Sequence, residues 1–116
     1  MTLVDLESPF VGDVEAILTY ARRCMADSLA RGEAPIASHL LYTQPGILDD
    51  AVPAERQQGI AAGKAWAAHA DLTAVYCDRG ISDGMRQAIQ HWEKLGKRIE
   101  RRTISPGLWK AVREME

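Results

Sequence analysis

Two stretches of this 116-residue chain carry residue types that could do chemistry: Glu7-Ser8-Pro9-Phe10 and Asp78-Arg79-Gly80-Ile81-Ser82-Asp83-Gly84-Met85. In the second, a carboxylate is followed by Gly80 and then by a Ser-led helix start at Ser82. Such a start leaves backbone N–H groups without helical partners, which favours an anion or a sugar hydroxyl. The same residues also read as a capped turn, with Asp78 and Ser82 satisfying their own helix. The glycine spacing is neither that of a phosphate-binding loop nor that of a dinucleotide fingerprint. In the first stretch, Glu7 closes an apolar segment, so desolvation should raise its pKa. Phe10 is the one phenylalanine in the chain. A flat ring in a loop can stack on a base or staple the following helix.

Other polar residues are less directed. His39 and Tyr42 follow a short apolar run, where a lone His reads first as a hydrogen-bonded packing residue and a Tyr can stack on a base. His69 and His91 fall on surface positions of helices, and Asp49-Asp50 lies in a loop. Arg98, Arg101 and Arg102 read as a charged edge that discourages strand pairing. Two cysteines, Cys24 and Cys77, and three scattered His imply reduced, buried thiols rather than a disulfide or a zinc site. Neither a metal nor a cofactor is expected.

The elements that must position these residues alternate in type. Thr2–Glu7 predicts a strand, stopped by Pro9 and Gly12. Asp13 predicts the N-cap of a helix over residues 14–31, with Val14, Ile17, Leu18, Ala21, Met25 and Leu29 on its inner stripe and Arg22, Arg23 and Asp27 outside it. Ala34–Leu41 predicts a second strand, and residues 42–53 a long loop of the kind that often carries function. A second helix, residues 54–70, is rich in Ala and Gly, which lets it lie close to a sheet. Leu72–Cys77 predicts a central parallel strand, nearly continuous in apolarity. Ser82 caps a helix over residues 83–95 with Met85, Ile89 and Trp92 inward. Residues 98–103 predict an edge strand and 108–115 a short final helix opened by Ser105-Pro106. The order β-α-β-α-β-α-β-α predicts an α/β fold, a small flavodoxin-like or Rossmann-like parallel sheet of about four strands flanked by helices. Ligands of such sheets sit at the carboxyl ends of the strands.

Composition bounds the function. The length suits a single domain, 1–116, and the 47% hydrophobic and 26% charged residues are globular values. A formal charge of −2 argues against binding duplex nucleic acid, which rewards a basic excess. The longest apolar stretches fall far short of the ~20 residues of a membrane helix. The N-terminus lacks the basic start and apolar run of a secretory signal, so the expectation is a soluble, cytoplasmic protein without membrane partners.

Four segments together resemble the nucleoside 2-deoxyribosyltransferase-like superfamily, and within it a branch common in phage and actinobacterial genomes. They are Glu-Ser-Pro-Phe-Val-Gly-Asp at 7–13, Ala-Ser-His-Leu-Leu-Tyr-Thr-Gln-Pro-Gly at 37–46, Ala-Asp-Leu-Thr-Ala-Val-Tyr at 70–76, and Asp-Arg-Gly-Ile-Ser-Asp-Gly-Met at 78–85. The resemblance implies two aspartates flanking the third strand, matched by Asp71 and Asp78. It also implies a nucleophilic Glu at the start of the next helix. At that place, six residues after Asp78, this chain has Gly84. Asp83 is adjacent, but one helical step turns a side chain by about 100°. Glu7, Asp78 and Asp83 are then the carboxylates left for catalysis, since a glycosidic carbon needs one close by.

The resemblance therefore implies a nucleoside or nucleotide-like ligand. Ser8, Pro9, Phe10, His39, Tyr42, Gly80, Ser82, Gly84 and Met85 would line its site, with Phe10 or Tyr42 stacking the base. One role it implies in a phage is sequestering a nucleotide signal of host immunity. The alternative is an N-glycosidase or deoxyribosyltransferase using Glu7 or Asp83. Relatives complete their sites across subunits, which implies a homo-oligomer with Trp66 or Trp109 near the interface.

Overall fold

A computed structural model describes residues 1–9 and 12–104. Four parallel strands form one sheet in the order β2-β1-β3-β4. They are β1 (Leu3–Glu7), β2 (Ala34–Ile36), β3 (Leu72–Tyr76) and β4 (Arg98–Arg102). Helix α1 (Val14–Ala30) joins β1 to β2. The short α2 (Ser38–Leu41) and the longer α3 (Pro53–Ala67) carry the chain from β2 across to β3, and α4 (Asp83–Lys94) joins β3 to β4. The fold is α/β and Rossmann-like, as the alternation of elements predicts. The chain reverses direction across the sheet between β1 and β3, where an open α/β sheet forms its crevice. Phe10, Trp109 and the final helix expected over 108–115 lie outside the described residues.

Strand alternation divides the central strands between two faces. Val4, Leu6, Leu72, Ala74 and Tyr76 join Tyr20 and Cys24 of α1 in one buried cluster. Val75 turns the other way and packs on Met85 and Ile89 of α4. The second face is not uniformly apolar: Asp5 and Thr73 are both buried, and the Thr73 hydroxyl donates to Asp5 Oδ2 at 3.0 Å. All five residues of β3 are buried, as expected for a central strand.

Three expectations are corrected. The inner stripe of α1 is Ile17, Tyr20, Ala21, Cys24, Asp27 and Ser28, whereas Val14 and Leu29 are exposed. The stripe turns because Tyr20 and Asp27 bury their polar tips on partners: the Tyr20 hydroxyl donates to Asp78 (2.6 Å), and Asp27 accepts from Arg31 and the Tyr76 hydroxyl. The second strand ends at Ile36, because the chain turns into α2 instead of continuing along β1. Arg102 is no edge guard. Its side chain is 3% exposed and grips Glu33 with two bonds of 2.7 Å, with Glu100 at 2.9 Å.

The expected close approach of the second helix rests on two of its small residues. Gly63 and Ala67 are buried, while Ala61, Ala65 and Ala68 face solvent. A Cβ on Gly63 would lie 2.4 Å from Ser38 Oγ, so α3 can rest on α2 only through a glycine. Trp66 projects outward, 58% exposed. Both cysteines are free. Among the described residues, no helix is long and apolar enough to cross a membrane.

Candidate functional site

On the α3/α4 face a cleft of about 250 Å³ opens between the two helices and reaches down to β1. Asp5 and Glu7, two residues apart on one strand, share its floor. One wall is an α3 stripe of Arg56, Ile60, Gly63, Lys64 and Ala67, and the other is Gly84, Met85, Ala88 and Trp92 of α4. Ser8, Ser38, His39, Asp50 and Ser82 complete the lining.

The floor is electrostatically unusual. Burial pushes the Glu7 carboxyl up from 4.5 to about 8, and the nearby Asp5 charge adds to the shift. Burial also raises Asp5, against the opposing pull of the Thr73 hydroxyl and Lys97. The Lys97 ammonium lies 4.3 Å from the Trp92 ring centre and donates to the Ala67 carbonyl at the end of α3. Among the described residues, nothing donates a hydrogen bond to the Glu7 carboxyl. No fully buried side-chain polar atom there lacks a partner, so the Glu7 oxygens open onto the cleft.

In the cleft lining, Ser8 Oγ lies 2.7 Å from His39 Nε2. Ser8 is buried, and desolvation lowers His39 to about 4, so the imidazole is neutral across the physiological range. The short helix α2 makes this pair by carrying His39 back over the end of β1. Ser82 caps α4 by accepting from the Met85 amide at 3.3 Å. On the outer side, Arg56 pairs with Asp50 at 3.3 Å.

Of the residues singled out in the sequence, Glu7, Ser8, His39, Ser82, Gly84 and Met85 meet in this cleft. Tyr42 lines a smaller pocket that shares Ser38, His39, Asp50, Arg56 and Ile60 with it. Asp78 is held on the opposite side, accepting from the Tyr20 hydroxyl at 2.6 Å and from the Ile104 amide at 3.2 Å. Gly80 forms the turn beyond β3 with φ of 83°. Asp83 is 92% exposed and paired with Arg86, outside the cleft lining. The three candidate carboxylates therefore do not converge. Asp5, Arg56, Lys64 and Trp92 also line the cleft, and their residue types alone do not single them out. The polar i, i+2 spacing of Asp5 and Glu7 inside a hydrophobic strand was the available signal for the first. Among the described residues, no three of His, Cys, Asp and Glu gather as a metal site.

Residues 2–102 match a family described as a domain of unknown function, DUF7768, and the chain belongs to that family. No curated protein and no solved structure matches.

Proposed function

We propose that this DUF7768 domain binds a nucleoside or nucleotide-like small molecule in the cleft between α3 and α4. The observation that carries the reading is Glu7, a carboxyl on the cleft floor that no described residue bonds. A group left so is completed by a ligand that offers both donors and acceptors. Ribose hydroxyls and base edges offer both, and a carboxyl titrating near 8 can answer either. Arg56 and Lys64 along one wall suit a phosphate, and Trp92 and Ile60 give apolar surface for a base. A cleft of about 250 Å³ lies just below the ~300–1,000 Å³ usual for ligand pockets, which favours one nucleoside unit over a dinucleotide.

Thermal melts against a panel of nucleosides, mono- and cyclic nucleotides and ADP-ribose derivatives test this. A member present at ~100 times its Kd should stabilise the fold by about 2.7 kcal/mol, an upward shift of about ten degrees. Glu7→Gln should weaken the same ligand by ~1.5–3 kcal/mol. An absence of shift at millimolar concentration across the panel removes the reading. Steady release of free base that disappears in Glu7→Gln replaces it with an N-glycosidase.

A further inference from the structure

Ser8 and His39 form a nucleophile–base arrangement in the lining of the cleft that ligand binding alone does not use. We infer that Ser8 is a covalent nucleophile, with His39 as its general base, toward short carboxylic esters such as an acylated sugar hydroxyl. The inference rests in part on the cleft reading, because the acyl group would be presented by a molecule held there. The two residues lie 31 positions apart in sequence and are brought to 2.7 Å by the return of the chain through α2. A base must reach its proton within about 2.6–3.2 Å, and Nε2 satisfies that.

Three further observations fit. Both side chains line the cleft, so the reacting atom can come from it. In the tautomer that carries its proton on Nδ1, the ring presents the Nε2 lone pair to the Ser8 hydroxyl. Gly84 stands in the opposite wall within the first turn of α4, where helical amides have no intrahelical partner. A Cβ added there would approach nothing closer than Ser82 Oγ at 4.0 Å, so this stretch of the wall leaves room beside the backbone.

The step balances without an outside reagent beyond water. Ser8 Oγ attacks the ester carbonyl carbon, and its proton passes to His39 Nε2. The carbonyl electrons move onto oxygen and return as the carbon–alkoxy bond breaks. The leaving alkoxide takes the proton from Nε2, leaving an acyl ester on Ser8. Water then attacks that ester, gives a proton to Nε2, and Ser8 regains it as the carboxylic acid departs.

A fluorophosphonate probe with intact-mass and peptide mapping tests the nucleophile without requiring a nucleoside. The Ser8 oxygen–phosphorus bond forms, phosphorus–fluorine breaks, and the adduct mass maps to the peptide holding Ser8. Ser8→Ala should lose the adduct, and His39→Gln should slow labelling by ~10²–10⁴-fold while melting as a folded protein. Turnover of p-nitrophenyl acetate should follow the same order. Because Ser8→Ala alters a buried site, Ser8→Cys serves as a second variant, expected to regain covalent capture by iodoacetamide at that position. An unlabelled native protein, an adduct mapped elsewhere, or labelling unchanged in His39→Gln overturns the inference. An unlabelled protein that still responds to the nucleotide panel overturns it while leaving the binding reading intact.

Discussion

Arg102→Ala should destabilise the folded chain by about 3–5 kcal/mol, because it strips the partner from a carboxylate and leaves the surrounding groups uncompensated. The guanidinium is buried against Glu33, Glu100 and the Tyr76 hydroxyl. Hydrogen bonds from Arg102 hold the Glu33 carboxyl below the usual carboxylate range, which marks the pair as charged in the folded state. Removing both charges together is a different experiment. Arg102→Met with Glu33→Met should recover most of the loss, since Glu33 is gone and Glu100, the other carboxylate on Arg102, keeps Arg98 at 3.2 Å. Urea midpoints at constant slope measure both. A loss below ~1 kcal/mol for Arg102→Ala would place the pair with ordinary surface bridges and refute the burial argument.

The second large effect is on the pH dependence of stability. Glu7 titrates near 8 in the folded chain against 4.5 unperturbed, so the folded state binds its proton more tightly than the unfolded one. Protonation therefore favours folding. The Glu7 contribution is full below about 4.5 and is lost as pH rises through 8. His39 works in the opposite sense: it is lowered from 6.5 to about 4, so stability falls as pH drops through that interval. Stability should rise from pH 8 to 6.5, change little from 6.5 to 4.5 as the two oppose, and fall below that. The rise is limited to about 1.4 kcal/mol per pH unit for one proton. Glu7→Gln should flatten the upper limb and gain about 2–4 kcal/mol at pH 8, less than the full shift because water in the cleft screens the charge. Thermal melts of both proteins from pH 4 to 9 decide it. Stability that stays level or falls as pH drops from 8 to 6.5 would mean that Glu7 is ionised there.

The elements were legible because their punctuation is local. Asp13 caps α1 and Ser82 caps α4, and each accepts the amide that its position demands. The apolar run of β3 could only be a strand covered on both faces. What escaped was set by partners distant in sequence. Arg102 reads as an edge charge until Glu33, 69 residues away, is seen to face it. Helical spacing of the apolar residues leaves Asp27 off the inner stripe, yet it is buried on the Tyr76 hydroxyl at 2.5 Å. The candidate site was legible in half. Loops at the strand ends were found from the fold rule, and they supplied Glu7, Ser8, His39 and Ser82. The α3 wall was not found, because a helix of small residues says that it packs closely but not which gap it leaves.

Helix α3 spans fifteen residues and buries only Gly63 and Ala67. Apolar burial ties an element to its fold, so this helix is fastened far less firmly than β3, whose five residues are all enclosed. Local opening of α3 need not break the sheet, and its amides should exchange with deuterium well before those of β1 and β3. Because α3 forms one wall of the cleft, filling the cleft should raise protection along that helix while leaving β1 and β3 unchanged.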